Sequence, residues 1–363
     1  MFTLPDSWVW DFWCADDGEQ HHLFFLYASR ALHDPEARHY RASIGHAVST
    51  DLRNWTRVPD ALVRADAPAF DDLATWTGSV VRHPDGTWFL FYTGSTRAAD
   101  GKNVQRIGYA TSTDLTTWHK AGANPVLSAD PAWYETLDTG QWHDEAFRDP
   151  WVFPDPDGDG WHMLITARAT TGPAFERGVI GHAVSADLRN WRLRPPLSAP
   201  AAHGFGQLEV TQTEIVDGKP LLLFSCLAEH ASDSRRATGT RGGIWAAPAQ
   251  GLLGPFDIGV ARQVTDDRYY SGKLVRRRDG SWVLLGFHHT GPDGGFAGGV
   301  SDPMPVSWDG RRLTVEGLPD PAEPDPAEPG PAQLEAAGPE AAGRGTVGPE
   351  AAGRRPAEAA SVC

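Results

Sequence analysis

The chain has 363 residues, 40% of them hydrophobic, so it is long enough to bury a substantial core. Its formal net charge of −15 argues against a nucleic-acid partner, because phosphate backbones bind to basic surfaces. The three cysteines show neither the spacing of a metal site nor a disulfide framework.

The N-terminus lacks the basic segment and apolar run of a secretory signal, so the expected location is the cytoplasm. No stretch of about 18 apolar residues is available to cross a membrane, and no membrane partner is expected. The sequence leaves the oligomeric state open.

Three related segments begin at Ile44, Ile107 and Ile180. Each alternates apolar with small or polar residues, reaches a Ser-x-Asp-Leu sequence and places a tryptophan four residues after the aspartate. Period-two alternation predicts a strand, and the Asp-x-x-x-Trp piece predicts a turn held by an aromatic anchor.

A second repeat consists of Asp-Gly pairs that precede β-rich apolar runs, which is a strong hairpin signal. The aspartates are Asp17, Asp85, Asp157, Asp217 and Asp279, spaced by 68, 72, 60 and 62 residues. Units of this size match the blades of a propeller. The sequence therefore predicts an all-β, five-bladed β-propeller over residues 1–317, with a β-sandwich as the less favoured alternative.

After residue 317 the composition changes to Pro, Ala, Gly and Glu without aromatic residues. Such a segment buries too little apolar surface to offset its chain entropy. Residues 318–363 are therefore predicted to be a disordered tail, and no C-terminal β-sandwich is expected.

The first strand of each propeller blade lines the central channel. Counting back eight residues from each Asp-Gly aspartate gives Val9, Thr77, Asp149, Glu209 and Ser271. Two of these are carboxylates, and Asp11 lies two residues beyond Val9 on the same strand face. Three acids from three blades are thus expected in one cavity, an arrangement whose mutual repulsion is useful to a glycosidase and to few other proteins.

The segments around these acids are WVWDFW from Trp8, WTGS from Trp76, FRDPWVF from Phe147 and QLEV from Gln207. In this order they resemble the signature motifs of glycoside hydrolase families 32 and 68, the invertases, levanases and levansucrases. The resemblance covers residues 8 to about 315.

The resemblance implies a retaining β-fructofuranosidase acting on sucrose or fructo-oligosaccharides. It implies that Asp11 is the nucleophile, Asp149 the transition-state stabiliser and Glu209 the general acid/base. Burial beside two other carboxylates is expected to keep Glu209 protonated. Arg148 would grip sugar hydroxyls together with Asp149.

Further substrate-binding candidates come from the same motifs. Aromatic rings offer an apolar wall to the C–H face of a sugar, and inter-blade packing is an equally plausible role for each tryptophan. These candidates are Trp8, Trp10, Trp13, Trp76, Thr77 and Ser79.

The sequence departs from the family pattern at two positions near these motifs. Val210 follows the catalytic glutamate where the invertases usually have cysteine, and Leu26 replaces an expected glutamine. The exact substrate is therefore left open.

The segment from Asp155 to Gly160 begins like a calcium-binding loop but has no closing glutamate. It stands where the other units have their Asp-Gly turn, so a turn is predicted. No metal and no cofactor are expected.

Three alternative functions remain at this point. The first is an arabinofuranosidase of the family 43 type, against which the Arg148–Asp149 pair weighs. The second is fructosyl transfer, which the sequence does not separate from hydrolysis. The third is a non-catalytic carbohydrate-binding propeller, which would not need to retain all three acids.

Overall fold

The computed structural model describes residues 1–199, 203–319 and 321. Within them, twenty strands form five antiparallel sheets of four strands each, and every sheet uses consecutive strands. The predicted all-β, five-bladed propeller is confirmed. No helix of the described residues is long and apolar enough to cross a membrane.

The strands are numbered in chain order. The first and second blades contain β1 Ser7–Asp16, β2 His21–Ser29, β3 Ser43–Ser49, β4 Thr56–Leu62, β5 Ala74–Arg82, β6 Trp88–Arg97, β7 Asn103–Ser112 and β8 His119–Lys120. The third and fourth blades contain β9 Phe147–Pro154, β10 Trp161–Arg168, β11 Gly178–Ser185, β12 Trp191–Arg194, β13 Glu209–Val216, β14 Lys219–Leu227, β15 Gly242–Pro248 and β16 Arg262–Gln263. The fifth blade contains β17 Tyr269–Arg276, β18 Trp282–His288, β19 Met304–Trp308 and β20 Leu313–Val315.

The helices of the described residues are short. One is an α-helix, α1 Asp233–Arg236, and the others are 3-10 helices over Arg30–Leu32, Pro35–Arg41, Ala174–Glu176, Ala228–His230 and Ile258–Val260.

The second strand of each blade explains the apolar runs of the sequence. β10 is buried along its whole length, and β2 is buried from His21 to Leu26. Both faces of these strands are covered because each blade packs between two neighbours. Each fully buried large apolar side chain contributes about 1.5–3 kcal/mol to stability.

The Asp-Gly pairs form turns between first and second strands. Gly18, Gly86, Gly218 and Gly280 have φ values of 97°, 94°, 76° and 89°, which only glycine adopts without strain. In the third blade the left-handed glycine is instead Gly160, with φ 123°, so that turn is longer. The segment from Asp155 to Gly160 is therefore the predicted turn between β9 and β10.

The repeated Ser-x-Asp-Leu segments form turns between third and fourth strands. Each aspartate accepts hydrogen bonds from the backbone N–H groups two and three residues later, at 2.7–2.9 Å. Trp118 donates to the carbonyl of Leu115 at 3.0 Å, and Trp191 donates to the carbonyl of Leu188 at 3.1 Å. The predicted turn with its aromatic anchor is confirmed.

The ring closes through the N-terminal residues. The backbones of Phe2 and Val300 exchange two hydrogen bonds, of 2.8 and 2.9 Å, and Gly299 donates to the carbonyl of Val9 at 2.7 Å. The Phe2 ring meets Phe25 edge-on at 4.9 Å between centroids. The first blade is thereby joined to the fifth.

The described part of the chain continues just past the predicted boundary at residue 317. Leu318 packs against the apolar core of the fourth and fifth blades. The rest of the predicted disordered tail, residue 320 and residues 322–363, lies outside the described residues.

Candidate active site

All five innermost strands are interrupted by a β-bulge at the same level of the channel. The pairing register shifts between Trp10 and Phe12 and between Trp76 and Gly78, and corresponding shifts occur in the other three blades. The bulges contain Asp11, Thr77, Asp149, Val210 and Ser271. The last three have left-handed φ values of 58°, 53° and 47°.

A bulge lets two consecutive residues face the same side of the sheet, which a regular strand does not allow. The pocket at the level of these bulges is therefore lined by neighbouring pairs such as Trp10 with Asp11 and Arg148 with Asp149. The full lining consists of Trp10, Asp11, Leu26, Arg38, His39, Trp76, Thr77, Arg148, Asp149, Glu209, Val210, Leu227, Tyr270, Phe287 and His289.

The count of eight residues back from each turn identifies the bulge in three blades. It fails in the first blade, where the bulge is at Asp11 and not at Val9. In the fourth blade it gives Glu209, one residue before the bulge at Val210. The distance from bulge to turn is shorter in these blades, so a fixed count overshoots.

Asp11 lies between the second and fifth blades. Its carboxylate accepts a hydrogen bond from the hydroxyl of Thr77 on one oxygen and from the hydroxyl of Ser271 on the other, both at 2.5 Å. Burial raises the pKa of Asp11, and the two hydroxyl donors oppose that rise. The side chain is thus fixed in orientation by both neighbouring strands.

Asp149 is buried and is held by residues of the third and fourth blades. Its Oδ2 accepts hydrogen bonds from the hydroxyl of Thr166 at 2.8 Å and from the N–H of Val210 at 3.2 Å. Burial raises the pKa of Asp149 to about 7; the nearby charges of Asp11 and Glu209 add to the rise, and Arg148 opposes it.

Glu209 is held by a cation and a phenol. Arg148 and the hydroxyl of Tyr270 each donate a short hydrogen bond to its carboxylate. Burial raises the pKa of Glu209, but Arg148, His230 and Tyr270 together outweigh burial and bring the pKa below its usual range. The expectation that burial beside two other carboxylates keeps Glu209 protonated is therefore wrong, because its low pKa favours the ionised form.

Arg148 also contacts Gln105 on β7 and Gln207, which comes two residues before β13. Its Nη1 lies 3.1 Å from the amide oxygen of Gln105 and its Nη2 lies 2.6 Å from that of Gln207, while Nε is 3.5 Å from Asp149. A planar guanidinium is suited to this because its donors have fixed directions.

The remaining predicted residues divide into two groups. Trp10, Trp76 and Thr77 line the pocket together with Arg148 and the three acids.

The structure does not bring Trp8, Trp13 or Ser79 to the pocket. Trp13 is fully buried in the apolar core and stacks at 6.1 Å on Phe24, its partner on the adjacent strand of the same blade. The indole of Trp8 lies beneath the guanidinium of Arg30 at 5.5 Å. Ser79 faces the channel deeper down, where its hydroxyl accepts the N–H of Val152 at 3.1 Å.

Several pocket residues were not predicted from the sequence. Tyr270 precedes the bulge in the fifth blade just as Arg148 does in the third, so a register signal for it existed. His39 comes from the 3-10 helix Pro35–Arg41, and its carbonyl accepts the indole N–H of Trp76 at 2.7 Å. His289 lies in the connection after β18, whose sequence carries no repeat, and Leu227 is the last residue of β14.

In residues 1–199, 203–319 and 321, no three His, Cys, Asp or Glu side chains are grouped so that they could hold a metal ion. Asp155 instead accepts the N–H of Asp157 at 2.9 Å and lies 3.2 Å from Nε2 of His162.

Known structures with the same fold support the architecture. An inulosucrase from Halalkalicoccus jeotgali bound to kestose superimposes with a TM-score of 0.71 at 22% identity, over 86% of this chain and 87% of that one. A family 32 β-fructofuranosidase from Bombyx mori gives 0.65 at 21% identity, over 87% and 64%.

Sequence comparison identifies more specific relatives. β-Fructofuranosidase 1 of Zea mays is 34% identical over 132 residues, and fructan 1-exohydrolase w3 of Triticum aestivum is 38% identical over 127 residues. These matches cover 36% and 33% of this chain but only 19% of each relative's length. Residues 14–249 match the model of the glycosyl hydrolases family 32 N-terminal domain. The chain therefore belongs to glycosyl hydrolase family 32.

Proposed function

We propose that this chain hydrolyses terminal β-fructofuranosides with retention of configuration. The observation that carries the proposal is the meeting of Asp11, Asp149 and Glu209, from three different blades, in one pocket with Arg148 between two of them. The names of the family 32 relatives, which are fructofuranosidases and fructan exohydrolases, favour fructosides over arabinosides.

Asp11 is proposed as the nucleophile. Hydrogen bonds from Thr77 and Ser271 stabilise its ionised form and fix its direction, which is what attack on an anomeric carbon requires. In the first step Asp11 bonds to that carbon while the bond to the leaving oxygen breaks. In the second step water displaces Asp11 and releases the sugar.

Glu209 is proposed to give its proton to the leaving oxygen and to take one from the attacking water. The ion pair with Arg148 favours the ionised form of Glu209. Sugar hydroxyls that engage Arg148 would weaken this ion pair and allow the pKa of Glu209 to rise, so that substrate binding itself prepares the acid.

Asp149 is proposed to stabilise the transition state. Its Oδ2 is occupied by Thr166 and Val210, whereas its Oδ1 makes no hydrogen bond to any described residue and is available to sugar hydroxyls. A second candidate role follows from its pKa of about 7, because Asp149 can then hold a proton at neutral pH more readily than Glu209, whose pKa is lowered. The two acids could therefore exchange roles.

The pocket surface suits a neutral sugar. Trp10, Trp76 and Phe287 supply apolar ring surface for the C–H face of a furanose, and the carboxylates and Arg148 supply hydrogen bonds. The solved neighbours bound to kestose and to sucrose make a small fructoside the proposed substrate.

The substrate class is tested by incubating the protein with sucrose, inulin, levan and aryl arabinofuranosides and identifying the products. Release of fructose is expected, and longer fructans in the product mixture would indicate transfer. Cleavage of arabinofuranosides alone would overturn the assignment, and no cleavage of any of them would point to a binding protein.

The roles of the two acids are tested by dependence on the leaving group. Glu209→Ala should greatly slow cleavage of a natural sugar leaving group, but slow an activated aryl fructoside far less, because that group leaves without a proton. Asp149→Ala should lower kcat/KM for both substrates by similar factors. Leaving-group dependence at Asp149 and not at Glu209 would show that the roles are exchanged.

A further inference from the structure

Lys273 is a buried lysine in the central channel, on the side of the pocket that leads to the Asp-Gly turns. Only 3% of the surface of Lys273 is exposed. Its Nζ donates to the carbonyl of Val210 at 3.3 Å and lies 4.9 Å from the ring centroid of Trp151. Among the described residues, no carboxylate oxygen lies within 4.0 Å of this nitrogen.

The position of Lys273 follows from the bulge of its own strand. Lys273 lies two residues beyond Ser271, which donates to Asp11. After the bulge, period-two alternation places Lys273 on the channel side, one level below the acids. Val210, whose carbonyl accepts the lysine, also donates its N–H to Asp149. Lys273 is thus close to a residue that hydrogen-bonds to each acid, Ser271 for Asp11 and Val210 for Asp149.

Negative charge exceeds positive charge around the acids. Three carboxylates face the pocket, and Arg148 is shared between Glu209 and Asp149. Among the described residues, Asp11 therefore has no cation within 4.0 Å. Arg38 also lines the pocket, but it is paired with Glu36 at 2.9 Å. Buried like charges strongly disfavour ionisation unless a cation is near.

We propose that Lys273 is a positioning residue whose buried positive charge favours the ionised forms of Asp11 and Asp149 from below. This rests on the proposed function, in which Asp11 must attack as a carboxylate. Lys273 is long enough to reach the channel axis, and its position beneath the pocket leaves the sugar-binding surface free.

The groups that face Lys273 come from three other strands. They are Asp11 and Cys14 on β1, Asp149 on β9 and Glu214 on β13. Burial lowers the pKa of Lys273 to about 8, and the charges of Asp149 and Asp11 oppose this. The lysine therefore still carries its charge below about pH 8, where the acids must be ionised.

The test is Lys273→Met, which keeps the length of the side chain and removes its charge. The acid limb of the pH profile of kcat/KM for fructoside hydrolysis should move to higher pH by about one unit, because the acids lose their nearest unpaired cation. Thermal stability at pH 7 should be unchanged or higher, since burial of the ammonium is unfavourable. A residue with only a packing role would lower stability and leave the limb in place.

Two variants serve as controls. Lys102→Met removes an exposed lysine and should leave the acid limb in place. Glu214→Gln removes a negative charge near Lys273, so its acid limb should stay or move to lower pH.

An acid limb that is unmoved in Lys273→Met, or that moves upward in Glu214→Gln as well, would overturn the inference. If the wild-type protein cleaves no fructoside, the proposed function fails instead, and this is visible before any variant is made.

Discussion

The guanidinium of Arg148 donates to the carboxylate of Glu209 across the boundary between the third and fourth blades. The same side chain reaches Gln105 of the second blade at 3.1 Å. One cation thus ties three blades together at the level of the pocket. This explains why the pKa of Glu209 is low although the side chain is buried.

Arg148→Lys should reduce kcat/KM for fructosides by roughly 100-fold or more, because lysine keeps the charge but not the fixed fork of donors. Steady-state kinetics on sucrose or inulin would measure this. Arg192→Lys, at an exposed position of the third blade, is the matched control. Near-normal kinetics in Arg148→Lys would show that charge alone is sufficient at this position.

Asp11→Asn should reduce turnover by more than about 10⁴-fold, as expected for loss of a nucleophile. Stability should stay the same, because one hydroxyl of the Thr77 and Ser271 pair can still donate to the amide oxygen while the other rotates to accept from the amide nitrogen. Kinetics and thermal melts of purified Asp11→Asn and of the exposed control Asp138→Asn would decide. Appreciable activity in Asp11→Asn would remove Asp11 from the mechanism.

Asp149→Asn should change how stability depends on pH. A carboxyl group whose folded pKa is raised to about 7 stabilises the fold below its unfolded pKa of 3.8, and this contribution is lost as pH rises toward 7. Asparagine stays neutral, so the variant should gain roughly 4 kcal/mol relative to wild type between pH 4 and pH 8. Urea unfolding at both values would show it, and parallel pH profiles of the two proteins would contradict it.

Phe2→Ala should destabilise the protein by about 3–5 kcal/mol, because Phe2 is 7% exposed and packs on Phe25 where the ring closes. Phe175→Ala, at a ring that is 39% exposed, should change stability much less. Chemical denaturation of both variants makes the comparison. Equal losses would mean that closure at Phe2 adds nothing to stability.

The architecture was predictable because its signals are local. Asp51 and its equivalents accept hydrogen bonds within their own turns, and Gly18 and its equivalents need left-handed backbone within theirs. The acids were predictable because they stand at a repeated level of the innermost strands. The levels of Asp11 and Glu209 were misjudged by counting, since the segment from bulge to turn differs in length among blades.

Other features depend on contacts between distant parts of the chain. The low pKa of Glu209 arises from Arg148 and Tyr270, each 61 residues away in sequence. His39 and His289 enter the pocket from connections that differ in every blade. Trp13 and Ser79 stand in the right motifs but contact neighbouring strands instead of the pocket, and the sequence does not distinguish these environments.

The five bulges determine which side chains line most of the pocket. Each blade supplies two consecutive side chains, and nine of these ten line the pocket: Trp10, Asp11, Trp76, Thr77, Arg148, Asp149, Glu209, Val210 and Tyr270. No hydrogen bond of the sheets depends on the identity of these side chains. A pair of residues can therefore be replaced while the backbone pairing of all five blades is kept, but a pair that contacts another blade, as Arg148 does at Glu209, changes the support of that neighbour as well.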